Sequence, residues 1–242
     1  MIEAVLFDLG NTLMRDLATS AGQMLEATGR PLHEWLQQSG LRPPRYTTYI
    51  RRLRMQMLWA CLRSRITGRE VRLVRVLESL HRRMGMPIAE NHVQDLGRQC
   101  MPVLRSYFLP DDDARPMLHR LRASGLKMGV VSNTMIPGFA MDEHLRNQEM
   151  IEYFPVRIYS SEVGYRKPRR EIFDMALDQL PAQPGHTMFV GDHAINDVRG
   201  PARLGMTTVL LAPTGCTPRR GVRPDHVIRG LAEIPQILNL RN

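Results

Sequence analysis

Val5-Leu6-Phe7-Asp8-Leu9-Gly10-Asn11-Thr12-Leu13 stands at the start of the chain. Three apolar residues end on a carboxylate, and the backbone runs straight into Gly-Asn. Short uninterrupted apolar runs of this kind form the buried strands of parallel sheets. Ligands of such sheets sit just beyond the carboxyl ends of the strands. Asp8 is therefore expected at the mouth of a site, with glycine-permitted backbone beside it. Taken alone, the pattern fits an aspartate closing a turn equally well, and the later segments have to decide.

Those segments repeat the arrangement. Met128 to Val131 is an apolar strand that ends on Ser132-Asn133. Val156 to Tyr159 is a weaker one, followed by Gly164-Tyr165-Arg166-Lys167-Pro168. Thr187 to Val190 ends on Gly191-Asp192, with Asn196-Asp197 close behind, and Thr207 to Leu211 and 226–228 are further strands. Helices are expected between them at 113–124, 138–153, 169–180 and 195–204, and at the end over 231–239. Strand alternating with helix means parallel strands joined by right-handed crossovers.

Between Leu13 and this region the strand character stops for about a hundred residues. The spacing predicts short helices over 18–28 and 31–38, separated by Gly29-Arg30-Pro31, then helices over 46–66, 69–84 and 89–107. The expected fold class is α/β: a three-layer, Rossmann-like parallel sheet core with an inserted α-helical cap. The expected division is 1–15 and 108–242 for the core, and 16–107 for the cap.

If the strands are parallel and adjacent, Asp8, Ser132, Lys167, Asp192 and Asp197 converge on one sheet edge. Crowded carboxylates repel and need a cation to stay ionised. Hard oxygen ligands in such a cluster suit Mg²⁺. Lys167 adds a fixed positive charge and Ser132 a hydroxyl donor. A cation, an ammonium and donors around three oxygens suit a phosphoryl group. Asp8 would then be the nucleophile, forming an aspartyl-phosphate.

Four stretches in this order resemble the motifs of the haloacid dehalogenase superfamily of hydrolases. They are 7–13, Val130-Val131-Ser132-Asn133, 161–168 and 190–197. The resemblance covers the α/β part, and the helical block falls where the superfamily carries its α-helical cap. The resemblance implies that Asp8 is nucleophile and Mg²⁺ ligand, that the Gly10 carbonyl is another ligand, and that Asp192 and Asp197 complete the metal site. It implies phosphoryl binding by Ser132 and Lys167, a phosphate site shaped by Gly10, Asn11 and Asn133, and a cap that closes over the site. Phosphatases of the superfamily usually carry a second aspartate two residues after the nucleophile, as acid and base. Here that position is Gly10. The dehalogenase branch also lacks this aspartate, whereas Gly191-Asp192 with Asp197 looks like the metal-binding phosphatase version. The expected substrate is a small phosphorylated metabolite; dehalogenase or phosphonatase-type hydrolysis and non-catalytic binding are the alternatives. His193 and Asp16 are further candidates for the acid.

Composition narrows the setting. The formal charge is +9, and lysine occurs only at 127 and 167, so the excess is arginine. Arginines crowd the 41–83 segment, opposed there only by Glu70 and Glu78. The default account is a solvated face; guidance of an anionic substrate and binding of a nucleic acid backbone are the alternatives. No aromatic residue interleaves with the arginines of 69–84, so nucleic acid is not the expected partner. Tyr46, Tyr49 and Trp59 are expected to pack within the cap. Cys61, Cys100 and Cys216 are far apart and lack metal-ligand spacing, which suits reduced thiols in a cytoplasmic protein. No apolar run reaches the ~20 residues that span a membrane, and with a strand so close to Met1 no leader is expected. Composition and periodicity leave the oligomeric state open.

Overall fold

The computed structural model describes residues 1–17, 20–89, 92–213 and 221–240. The first strand, β1 (Ala4–Phe7), is buried along its whole length. It leads through a turn into a short strand, β2 (Met14–Asp16). Helices α1 (Ala21–Gln38), α2 (Tyr46–Thr67), α3 (Leu73–Arg83), α4 (Val93–Arg98) and α5 (Met101–Tyr107) follow. The chain returns on β3 (Phe108–Pro110), which pairs antiparallel with β2. The helical insertion is thus entered and left through one two-stranded ribbon.

The remainder alternates strand and helix: α6 (Ala114–Ala123), β4 (Lys127–Ser132), α7 (Gly138–Asn147), β5 (Val156–Tyr159), α8 (Ser160–Val163), α9 (Arg170–Gln179) and β6 (Thr187–Gly191). A π-helical turn (Ala194–Arg199), α10 (Gly200–Ala202), β7 (Thr207–Leu211), β8 (His226–Ile228) and α11 (Ile234–Ile237) close the chain. The six-stranded sheet has the order β5-β4-β1-β6-β7-β8 and every pairing is parallel. β1 is central, so the residues just past β1, β4 and β6 meet at one edge. The two faces are sealed separately: Val5, Phe7, Val130 and Val190 join one apolar cluster, and Leu6, Val131 and Phe189 the other. That alternation is what a sheet with helices on both faces requires.

Several local expectations are corrected. Residues 29–31 do not break the first helix; α1 runs through Pro31. An interior proline costs about 3 kcal/mol, but Leu32 and Leu36, one turn apart, are fully buried. Each such leucine contributes about 2 kcal/mol, which offsets the break. Conversely, the expected helix 89–107 is two helices, because Pro102 cannot donate its backbone hydrogen bond and so opens α5. The ribbon strands β2 and β3 fall between the expected elements; three residues each is too short for a visible alternation. Trp59 does not pack within the insertion: it is 65% exposed, whereas Tyr49 is buried. Cys61 is half-buried and Cys100 buried, both free thiols; Cys216 lies outside the described residues. Among the described residues no helix is long and apolar enough to cross a membrane.

Two buried histidines couple the fold to pH. His81 sits within hydrogen-bonding distance of Tyr49 Oη at 3.0 Å. Burial pushes its pKa down to about 4. His144 is buried against the Phe108 carbonyl at 2.8 Å and is likewise lowered by burial. A histidine kept neutral by the fold contributes stability above its unfolded pKa of about 6.5, and loses it as pH falls towards the folded value. For His81 this amounts to about 3 kcal/mol at 1.4 kcal/mol per unit. The stability difference between pH 7.5 and pH 4.5 is therefore expected to shrink in His81→Gln, which keeps a hydrogen-bonding group for Tyr49 but cannot titrate. Denaturant melts at the two pH values check this; an unchanged difference would refute it.

Candidate active site

Asp8 follows β1 directly, and its backbone N–H donates to Val190 O at 2.9 Å, tying it to the neighbouring β6. The turn after it folds back, with the Thr12 and Met14 N–H groups both donating to Leu9 O. Asn11 occupies the left-handed region at φ 55°, which asparagine tolerates better than most residues. Its Oδ1 accepts from the Asp16 N–H at 3.2 Å, so this side chain fastens β2 to the turn. Gly10 is not in the left-handed region.

Lys167 reaches the same point from the segment between α8 and α9. Its Nζ lies 2.7 Å from Asp8 Oδ1 and 2.8 Å from Asp197 Oδ1, in a buried bridge. Asn133 holds the lysine backbone from both sides: Nδ2 donates to Lys167 O at 3.1 Å, and Oδ1 accepts from Lys167 N at 2.8 Å. Ser132, the last residue of β4, is buried beside them.

The other two carboxylates lie beyond β6, with Asp192 directly after it. Asp197 stands on the π-helical turn, a form that recurs at functional sites. Its Oδ2 accepts from the His193 N–H at 2.9 Å. His193 Nδ1 in turn accepts from the Ile195 and Asn196 N–H groups, both at 3.2 Å, which leaves the ring proton on Nε2 in the neutral form. Gly191 must be glycine for this turn to close, because a Cβ there would overlap the Asp197 side chain.

Asp8, Asp192 and Asp197 offer carboxylate oxygens that all lie within 4.8 Å of one another. Burial raises the Asp8 pKa, Lys167 pulls it back, and the charges of Asp197 and Asp192 push it up again, to about 7. Asp192 is raised too, by burial and then by Asp197. For Lys167, burial favours the neutral form, but the Asp197 and Asp8 charges outweigh it and hold the ammonium above its ordinary value. One ammonium against three close carboxylates leaves a net negative, oxygen-rich centre. This donor set fits a hard divalent cation.

The cavity over the cluster holds about 250 Å³ and brings together Asp8, Gly10, Asn11, Ser132, Asn133, Lys167, Asp192 and Asp197, with Asp16 and His193 at its wall. Phe108, Ile136 and Met141 add an apolar side. Sequence reading missed these three. Phe108 carries a usable signal in its position at the return from the insertion; Ile136 and Met141 lie in an ordinary loop and helix face and carry none. Among the described residues, none between 17 and 107 lines this cavity.

Comparison with known proteins agrees with the geometry. A family model of haloacid dehalogenase-like hydrolases matches residues 2–205. Glyceraldehyde 3-phosphate phosphatase of Methanopyrus kandleri is 33% identical over 132 residues, 54% of this chain and 52% of that protein. The chain spans about half the length of the curated relatives it matches. A 2-haloacid dehalogenase from Pseudomonas syringae superposes with a TM-score of 0.68 at 24% identity, over 99% of both chains. A phosphatase of the same superfamily from Thermococcus onnurineus gives 0.62 at 22% identity, over 98% of both. At these identities the two structures speak for the fold alone. With the matched model covering β1 through α10 and the aspartate cluster in place at the strand ends, the chain belongs to the haloacid dehalogenase-like hydrolases.

Proposed function

We propose that the chain is a Mg²⁺-dependent phosphatase of small phosphorylated metabolites, working through an aspartyl-phosphate on Asp8. The observation that carries this reading is the approach of three carboxylates to within 4.8 Å. Displacing a halide from carbon calls for one nucleophilic carboxylate; it gives no reason to gather two more around it. Magnesium, held by Asp8, Asp192 and the Gly10 carbonyl with Asp197 in support, would supply positive charge to the phosphoryl oxygens. The same reading divides the chain into a core of 1–15 and 108–242 and a cap of 16–107, joined through the β2–β3 ribbon.

Lys167 holds Asp8 Oδ1, which leaves Oδ2 free to attack phosphorus. The Asp8 oxygen–phosphorus bond forms as the ester oxygen–phosphorus bond breaks, and the leaving oxygen departs with the electron pair. Lys167 and the Ser132 hydroxyl bind the phosphoryl oxygens while this charge moves. Water then attacks the acyl phosphate, releasing inorganic phosphate and restoring the Asp8 carboxylate. Asn133 acts by keeping Lys167 in place. Burial of the site keeps bulk water off the reacting atoms.

Two variants separate the roles. Asp192→Ala is expected to weaken magnesium binding and to regain activity as Mg²⁺ is raised. Lys167→Ala is expected to lose at least about 100-fold in kcat/KM, as for a removed electrostatic stabiliser, with no recovery at high Mg²⁺. Phosphate release from an aryl phosphate, titrated with Mg²⁺, reads both. Identical Mg²⁺ responses would contradict the division. Dehalogenase or phosphonatase-type chemistry remains the second reading because Gly10 supplies no acid, and halide release from a 2-haloacid without added metal would favour it.

A further inference from the structure

The aspartate cavity is smaller than a second concavity on the molecule. A groove of about 760 Å³ lies between α2 and α3. Five arginines line it: Arg63 from α2, Arg69 and Arg72 from the connection, and Arg75 and Arg83 from α3. The one acid in its lining, Glu70, is spent elsewhere. Its carboxylate, 4% exposed, accepts from Ser160 Oγ at 2.5 Å and from the Val71 N–H at 2.8 Å, and lies 3.3 Å from Arg166 Nε. Arg75 pairs with Glu78 at 3.1 Å in an exposed contact. Among the described residues, Arg63, Arg69 and Arg83 have no carboxylate partner.

The indole of Trp59 lines the same groove and is 65% exposed. Trp59 and the α3 arginines belong to different helices, so nothing local in the chain joins the two features. Guanidinium groups bind phosphate oxygens in a fixed two-pronged geometry. An exposed indole stacks on flat rings. The volume falls within the ~300–1,000 Å³ of ordinary ligand sites.

We propose that this groove binds an anion of the nucleoside polyphosphate class, its base stacked on Trp59 and its phosphates on Arg63, Arg75 and Arg83. A single phosphate would leave most of the guanidinium groups unmatched, whereas a polyphosphate chain engages several. An extended single strand would call for successive aromatic platforms, and Trp59 is the one aromatic side chain in the described lining. The site is separate from the aspartate cavity but adjoins its lysine segment. Arg72 Nη2 donates to Glu162 O at 2.6 Å, Arg69 bridges to Tyr165, and Arg166 Nη1 donates to Ser64 Oγ at 3.1 Å. Lys167 is the next residue. The inference does not depend on the phosphatase reading.

The test is a titration of the intact protein with adenosine 5′-(β,γ-imido)triphosphate at physiological ionic strength, followed by tryptophan emission. Saturable quenching is expected with Kd below about 100 µM. Trp59→Phe should remove the quenching, leaving Trp35 as the silent tryptophan. The double substitution Arg75→Ala, Arg83→Ala should weaken binding about tenfold or more, as for lost charge-assisted phosphate contacts. Pyrophosphate, lacking the ring, should bind about tenfold more weakly than the nucleotide. Asp8→Asn should leave the affinity unchanged. All the groove substitutions are at exposed positions, and circular dichroism checks that each variant folds. The proposal is overturned by no saturation in the millimolar range, by quenching that persists without Trp59, by an affinity indifferent to the two arginines, or by an affinity lost with Asp8. A single-stranded oligoribonucleotide that binds more tightly than the nucleotide would also overturn it, in favour of a nucleic acid surface.

Discussion

Asp8→Asn is expected to reduce phosphate release from an aryl phosphate by about 10⁴-fold or more, the scale set by removing the nucleophile from a covalent mechanism. The substitution keeps the shape of the side chain and removes its charge. The fold should survive, because Lys167 still has Asp197 at 2.8 Å as a buried counter-ion, and one of three mutually repelling carboxylates is gone. Circular dichroism and a thermal melt separate loss of chemistry from loss of structure. A folded variant with substantial turnover would mean that water, and not Asp8, attacks the substrate.

Gly10→Asp is expected to act in the opposite direction. With no acid at this position, the leaving oxygen departs unprotonated, so aryl, acyl and sugar 1-phosphates should be cleaved better than simple alkyl phosphates. General acid–base help is worth about 10²–10⁴-fold, and the variant should recover part of it on alkyl substrates while changing aryl rates little. The backbone allows the substitution: Gly10 is outside the left-handed region, and a Cβ there would meet Phe108 Cε1 at an ordinary 3.9 Å. The alkyl-to-aryl ratio of kcat/KM should therefore rise. If the folded variant keeps the parent's ratio, another group already supplies the proton. Asp16 and His193, both at the cavity wall, can then be removed singly to find it.

The strands that build the site were legible because each is an apolar run ending on a polar residue, and burial on both sheet faces forces that pattern. Asp8, Ser132, Lys167, Asp192 and Asp197 could be placed together on that ground, and all five line one cavity. What could not be read were arrangements set by packing between distant segments. Nothing local says that Asn133 spends its amide on the Lys167 backbone, or that Asn11 fastens β2. Pro31 looked like a stop and is overridden by two buried leucines, while Pro102, inside one expected helix, opens a second. Trp59 has helical spacing compatible with a core position, and only the placement of α3 beside α2 shows it facing the arginines. Glu70 read as one of two counter-charges on a basic segment, yet it is a buried link between the insertion and the core.

The central claim is a covalent phosphoryl group on Asp8, and rapid acid quench followed by mass spectrometry tests it most directly. The enzyme is mixed with an aryl phosphate and Mg²⁺ and quenched within the first turnover. Without an acid–base group at Gly10 the second step should be slow, so the intermediate should accumulate. The account predicts one added phosphoryl mass on the peptide that contains Asp8, absent from Asp8→Asn. Phosphate released in that first turnover with Asp8 unmodified, or a phosphoryl group carried by a different residue, would contradict it.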